Sequence, residues 1–219
     1  MRMIDTLKAA ALAVTIGIGA VSGHAARAGD MEVLTVAGGC FWCVEADFEK
    51  VKGVSGAVSG FTGGTVANPT YKQVVKGGTG HFEAVEITFD PSQVSREDLM
   101  HLFLRSVDVT DDGGQFCDRG AAYRTAIFVS DAEEKALAER MIAEAQADLG
   151  QEIVTPVLDL KPFYEAEAYH QDYYKGSKLV LTRFGPKSQA EAYKAYRTAC
   201  RRDATVEALW GQDAPFIGG

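Results

Sequence analysis

Apolar and polar residues recur along the chain with two different periods, which predicts β-strands interleaved with α-helices. Five segments are rich in β-branched and apolar residues and predict strands: residues 31–37, 54–61, 82–89, 124–129 and 153–160. Apolar residues at steps of three and four after residue 41 predict a helix that Gly53 closes. This alternation predicts an α+β sandwich, with helices packed on one sheet.

Further helices are indicated by their start and stop residues. Residues 71–75 predict a short helix, and Ser95 is a good N-cap for the helix after it. Ser130 and Glu133 form a predicted capping box for a long helix that Gly150 ends. Residues 108–122 form a long polar loop, and loops of this length in a compact domain are often functional.

The first 28 residues have the pattern of a signal peptide. A basic start is followed by a run of small and apolar residues and by an A-x-A site at residues 26–28. Cleavage after Ala28 is the prediction; cleavage after Ala25 and an uncleaved anchor are the alternatives. We therefore expect a periplasmic or secreted protein in which residues 29–219 form one catalytic domain. Its core is predicted at residues 33–175 and its C-terminal tail at residues 176–219.

The charge and the hydropathy of the chain argue against two classes of partner, nucleic acid and membranes. The net charge is −8, and removal of the signal peptide, with three basic residues and one acidic residue, makes it about −10. Nucleic acid is a poor partner for so acidic a protein. No later segment is apolar enough to span a bilayer, so we expect no membrane association after cleavage.

The four cysteines, Cys40, Cys43, Cys117 and Cys200, allow several kinds of chemistry. An even number in an exported chain suggests structural disulfides, whereas Cys40-x-x-Cys43 suggests redox chemistry of a thioredoxin-like kind. A metal-binding or disulfide-stapled module is the non-enzymatic alternative. No second Cys-x-x-Cys or close histidine pair is present in the sequence, so we expect no metal.

Cys40 and Glu83 are the strongest candidates for chemistry. Cys40 follows two glycines at the predicted start of a helix, where free N–H groups and the helix dipole favour a thiolate. Strand alternation places Glu83 on the same face as Val85 and Ile87, so burial should raise the pKa of its carboxyl group. The alternatives are a small buried cysteine and a carboxylate that reaches water at the end of a strand.

The residues around these two candidates are individually ambiguous. Phe41 lies on the apolar stripe of the predicted helix, and Trp42 lies off it, where it could form the wall of an apolar pocket. Tyr71, Asp118 and Tyr123 fall in loops or at their edges, and each alone could be an ordinary polar surface residue.

Five short blocks follow one another along the chain: Gly39-Cys40-Phe41-Trp42, Asn68-Pro69-Thr70-Tyr71, Thr79-Gly80-His81-Phe82-Glu83-Ala84-Val85, Asp118-x-Gly120-x-x-Tyr123-Arg124 and Ala166-Glu167-x-Tyr169-His170-Gln171. Taken together and in this order, they resemble the peptide methionine sulfoxide reductase A family. The resemblance covers residues 33–174. It implies a two-layer ferredoxin-like α+β fold, selectivity for the S epimer of methionine sulfoxide, and no cofactor.

The resemblance also implies a role for each matched residue. Cys40 is the expected nucleophile that attacks the sulfoxide sulfur, and Glu83 the acid that protonates its oxygen. Tyr71 and Tyr123 are expected to hold that oxygen, and Asp118 to support them. Phe41 and Trp42 are expected to bind the S-methyl group. The partners implied are oxidised proteins or free methionine sulfoxide, and a thioredoxin-like reductant.

Several positions depart from the family pattern. Cys43 stands where glycine is frequent, Phe61 where tyrosine is frequent, and Ala122 where glutamine is frequent. The thiol that resolves the Cys40 sulfenic acid is therefore left open. Cys200, on a tail that looks mobile, is the first candidate and Cys43 the second, while Cys117 is expected to be a spectator.

Overall fold

The computed structural model describes residues 30–219, so the predicted signal peptide lies outside the described residues. The strands are β1 (Glu32–Gly38), β2 (Val54–Thr62), β3 (Phe82–Phe89), β4 (Gly114–Gln115), β5 (Asp118–Arg119), β6 (Thr125–Val129), β7 (Val157–Asp159), β8 (Tyr164–Glu165), β9 (Leu179–Thr182) and β10 (Gly185–Ser188). The α-helices are α1 (Phe41–Phe48), α2 (Tyr71–Lys76), α3 (Arg96–Ser106), α4 (Ala132–Leu149), α5 (Gln189–Ala199) and α6 (Arg202–Trp210). Within residues 30–219, none of the helices combines the length and apolar character needed to cross a bilayer.

The main sheet has the order β7-β6-β1-β3-β2-β8. Its four central strands, β6-β1-β3-β2, pair antiparallel in the order of a ferredoxin-like fold, and only β7 joins parallel, to β6. One face carries Leu34, Val36 and Ile87, which are buried against apolar residues of α1, α3 and α4. The predicted two-layer α+β sandwich is confirmed.

Most predicted elements agree with the structure, and the differences have local causes. The capping box predicted at Ser130 is wrong, because the Asp131 carboxylate accepts the N–H groups of Glu133 and Glu134 and is itself the N-cap. The strand predicted at residues 153–160 is shortened to β7. Pro156 has no N–H to donate, so regular pairing begins only after it.

The C-terminal region is folded rather than an extended, mobile tail. It contains the β9–β10 hairpin, α5 and α6, and Val206 and Trp210 of α6 belong to the main core. Ala192 and Tyr193 of α5 pack against Ala46 of α1. Residues 176–219 therefore cover one end of the sandwich and can contribute side chains to a site there.

Candidate active site

The register of the sheet explains how Glu83 approaches Cys40. β1 and β3 pair with Val36 opposite Val85, so continuing the register brings Gly38 opposite Glu83. At Gly39 the backbone takes a positive φ of 77° and leaves the strand, and α1 begins one residue after Cys40. Residues from β1, α1 and β3 consequently meet at one end of the sheet.

Glu83 contacts the first turn of α1 directly. The backbone N–H of Phe41 donates a 3.1 Å hydrogen bond to Oε2 of Glu83, so the carboxyl group satisfies an N–H that the start of the helix leaves free. The other oxygen, Oε1, is buried without a hydrogen-bond partner among residues 30–219. Burial raises the pKa of Glu83 to about 8, as expected from strand alternation.

One cavity of about 360 Å³ brings together every predicted catalytic and substrate-binding residue. Its walls include Cys40, Phe41, Trp42, Tyr71, Glu83, Asp118 and Tyr123, together with Tyr173, Leu181, Thr182, Tyr196 and Cys200. Cys43 is not in this wall. It lies behind Cys40 and lines a smaller adjoining cavity of about 30 Å³ with Arg197 and Arg202.

Tyr71 and Tyr123 keep their hydroxyl protons in this environment. Burial, reinforced by the nearby Glu83, raises the pKa of both phenols well above the ordinary value. Burial also raises the pKa of Asp118, while Arg202 and Arg183 oppose that shift. The cavity therefore offers two hydroxyl donors beside a carboxyl group that is protonated at neutral pH.

Phe41 and Trp42 form the apolar wall. Phe41 is buried in the core, and the indole of Trp42 stacks on Tyr173 with ring centres 3.7 Å apart. Nε1 of Trp42 donates a 3.1 Å hydrogen bond to Nδ1 of His170. These contacts hold the indole so that it faces the cavity.

The pKa of Cys40 differs from the expectation. The thiol donates a hydrogen bond to Cys43, and this bond and burial raise the pKa of Cys40 well above its ordinary value. The same bond lowers the pKa of Cys43, and Arg202 and Arg197 add to that effect. The lowered pKa expected for Cys40 is therefore wrong, because the hydrogen bond to Cys43 and burial outweigh any effect of the start of α1.

Cys117 and Cys200 form a disulfide, so Cys117 is not the free spectator thiol that was expected. Cys117 follows β4 and Cys200 follows α5, so the bond joins the long polar loop to the C-terminal region. Cys40 and Cys43 are free. The site thus contains one dithiol pair and one disulfide pair, and Cys200 lines both cavities beside Cys40.

Comparison with known proteins identifies the family. A family model described as Peptide methionine sulfoxide reductase matches residues 32–212. The chain belongs to the peptide methionine sulfoxide reductase family. It is 44% identical to Peptide methionine sulfoxide reductase MsrA 2 of Caulobacter vibrioides over 96% of this chain and 100% of that protein.

Solved structures of reductases of this family have a similar fold. Methionine sulfoxide reductase A of Corynebacterium diphtheriae is 30% identical, with a TM-score of 0.60 over 66% of this chain and 74% of that one. The reduced form of Mxr1 from Saccharomyces cerevisiae is 27% identical, with a TM-score of 0.63 over 66% of this chain and 84% of that one. Membership of the reductase family leaves no support for the alternatives of a thioredoxin-like exchanger or a stapled module.

Sequence reasoning missed several residues that shape the site of this reductase family member. His170 and Tyr173 position Trp42, and the side chain of Gln115 packs against Gly39 while it bonds the backbone of Asp108 and Gly114. His170 lies in a block that carried the resemblance, which was the one signal available for it. Gln115 and Tyr173 gave no signal.

One group of acidic side chains in the described part of this reductase has metal-like spacing. Oxygens of Glu45, Glu49 and Asp172 lie within 4.8 Å of one another. Glu45 already accepts the Ser59 hydroxyl and the Asp172 N–H, and Glu49 accepts the Tyr174 hydroxyl and Lys175. Hydrogen bonds within the protein explain this grouping.

Proposed function

We propose that this protein reduces the S epimer of methionine sulfoxide, free or within proteins, to methionine, and so repairs oxidised proteins. One observation carries the proposal. A thiol, Cys40, and a carboxyl group protonated at neutral pH, Glu83, line the same cavity with two hydroxyl donors and an apolar wall. A sulfoxide oxygen leaves only when it is protonated, so a nucleophile and an acid are both required.

The chemical step uses the Cys40 thiol and the Glu83 carboxyl group. Glu83 gives its proton to the sulfoxide oxygen while the sulfur of Cys40 attacks the sulfoxide sulfur, and the thiol proton then passes to the Glu83 carboxylate. That oxygen ends on Cys40 as a sulfenic acid, and methionine leaves, so Cys40 is oxidised by two electrons and the substrate sulfur is reduced by two.

The remaining cavity residues position the substrate. The Tyr71 and Tyr123 hydroxyls donate to the oxygen as negative charge develops on it. The S-methyl group lies against Phe41 and Trp42. Asp118 supports the polar side of the cavity. The thiol, the oxygen donors and the apolar wall surround the sulfoxide sulfur on different sides, and this arrangement provides a basis for selecting the S epimer.

Recycling requires a second thiol. Cys43 is a free thiol in hydrogen-bond contact with Cys40, which supports it as the first to condense with the sulfenic acid, forming a disulfide and releasing water. Once reduced, Cys200 and Cys117 exchange with that disulfide and become oxidised in its place. A thioredoxin-like dithiol then reduces the Cys117–Cys200 bond.

We also propose that the protein acts in the periplasm or outside the cell. The basic start, apolar run and A-x-A site of residues 1–28 support export. A reductase in an oxidising compartment depends on electrons delivered from elsewhere. Sequencing the N-terminus of the protein isolated from its source tests this proposal, and an intact Met1 would contradict cleavage.

The test of function is an assay of each sulfoxide epimer in a peptide. With dithiothreitol, wild type is expected to reduce the S epimer and leave the R epimer, and Cys40→Ser to lose activity completely. Cys200→Ser is expected to release one equivalent of methionine without reductant but to lose cycling with thioredoxin. Equal activity of wild type and Cys40→Ser would overturn the mechanism, and undiminished cycling of Cys200→Ser would exclude Cys200.

A further inference from the structure

The hairpin of β9 and β10 carries the most exposed large apolar side chains in the described part of the chain. Leu181 is 86% exposed and Leu179 is 71% exposed. The two leucines share one face of β9, since side chains two positions apart point the same way. Together they present an apolar surface that is available for contact with another chain.

The hairpin lies at the mouth of the active-site cavity. Leu181 and Thr182 line the same cavity as Cys40 and Trp42. A polypeptide whose oxidised methionine enters this cavity can therefore place its neighbouring residues beside β9. The apolar patch is continuous with the substrate site rather than separate from it.

The outer edge of β9 has backbone groups free to pair. β9 pairs only with β10, and Gln189 N–H donates to Lys178 O, which sets the alternation of the ladder. In that alternation the N–H and C=O groups of Leu179 and Leu181 face away from β10. Neither residue has another backbone hydrogen bond within residues 30–219.

The opposite edge of the hairpin is blocked. Pro186, which pairs with Leu181, has no N–H, and Lys187 follows it. An added strand is therefore directed to β9. Residues 176–188 contain three basic residues and no acidic one, although the whole chain has a net charge of −8. Charge thus favours a neutral or acidic partner at this edge.

We propose that β9 binds the extended polypeptide segment that flanks the methionine sulfoxide in a substrate protein, by adding it as a strand. The segment is neutral or acidic and has apolar residues near the sulfoxide that contact Leu179 and Leu181. Backbone pairing gives affinity without a demand for one sequence, and the apolar contacts favour unfolded or locally opened chains. β9 spans about 13 Å, enough for about four substrate residues at ~3.3 Å each. This inference rests on the proposed function.

The experiment compares a peptide with a minimal substrate, both reduced with dithiothreitol. The peptide has eleven residues, one methionine S-sulfoxide, leucines two positions to either side and aspartates beyond them. The minimal substrate is N-acetylmethionine S-sulfoxide. In Leu179→Ser, the ratio of kcat/KM for the peptide to that for the minimal substrate is expected to fall about tenfold, which is the loss of one well-buried apolar contact. The matched variant Leu160→Ser, at an exposed leucine outside the cavity, is expected to keep the wild-type ratio.

Peptides N-methylated on alternate amides, in the two possible registers, test strand pairing. The register facing β9 is expected to lose most of the advantage over the minimal substrate, and the other register to keep it. An unchanged ratio in Leu179→Ser, or two registers that behave alike, would overturn the proposal. So would a defect seen only with thioredoxin as reductant, since the surface would then belong to the reductant. Wild type inactive on both substrates would instead refute the proposed function.

Discussion

Glu83 uses its two carboxyl oxygens for different purposes. Oε2 accepts the Phe41 N–H and thereby joins β3 to the start of α1, while Oε1 is buried and without a partner among the described residues. A buried carboxylate oxygen with no donor is costly, whereas a protonated one can donate when a substrate oxygen arrives. The pKa of about 8 agrees with a carboxyl group that is protonated at rest.

At the scale of this residue, the pH dependence of catalysis follows from the raised pKa. The protonated form is present below pH 8 and is lost as the pH rises through 8, so single-turnover methionine release should decline above that pH. Glu83→Gln is expected to lower the rate by a factor of about 10²–10⁴ and to remove this decline. Glu86→Gln, on the same strand, is the control. A wild-type profile retained by Glu83→Gln would contradict the assignment.

At the scale of elements, the turn between β1 and α1 places the nucleophile. Gly39 has a positive φ of 77°, and an added Cβ would lie 2.5 Å from Cβ of Gln115. The close approach lets the loop at residues 108–122 press against the turn, which brings Asp118 to the cavity. Two physical requirements, backbone conformation and space, therefore select glycine here.

Gly39→Ala tests this turn. The strained φ and the clash are expected to cost about 1–3 kcal/mol of unfolding free energy and to reduce activity more than stability alone explains, because Cys40 shifts. Urea unfolding and single-turnover assays measure the two effects. The control is Gly56→Ala, where the added Cβ meets nothing within 4 Å. Similar behaviour of the two variants would refute the role of the turn.

An element or contact could be predicted from the sequence when residues close together in the chain define it. β3 was predicted with its observed bounds because alternation within eight residues defines it. The capping of α4 was missed by one residue because Ser130 and Asp131 both fit a cap. The candidate site was predicted through Cys40 and Glu83, whose neighbours in sequence carry a pattern. The contact between Trp42 and His170 joins residues 128 apart, and no local pattern encodes it.

At the scale of the whole molecule, buried charges join the C-terminal region to the first helix. Arg197 of α5 donates to both carboxylate oxygens of Asp47 at 2.9 and 3.0 Å, although 150 residues separate them. Burial raises the pKa of Asp47, and Arg197 counteracts that shift. The sequence indicated a mobile tail here because the partner charges of this segment lie far away in sequence.

Arg197→Met is expected to destabilise the protein by about 3–5 kcal/mol, since it removes the one cation within residues 30–219 that is hydrogen-bonded to the buried Asp47 carboxylate and leaves only Arg202 and Lys50 there, each at 3.9 Å. Adding Asp47→Asn should recover part of this loss. Arg140→Met breaks an ion pair with Glu97 in which both side chains are half exposed, so its effect on stability should be much smaller. Urea unfolding of the four proteins gives the comparison, and equal losses for Arg197→Met and Arg140→Met would contradict the argument.

The bond between Cys117 and Cys200 spans 83 residues and fastens the loop after β4 to the end of α5. If turnover opens and reseals this bond, the entrance to the cavity alternates between a clamped and an unclamped form while the buried Arg197–Asp47 contact keeps α5 in place. The supply of reductant would then determine the fraction of molecules in which the cavity entrance is clamped, and this fraction would be highest when reductant is scarce.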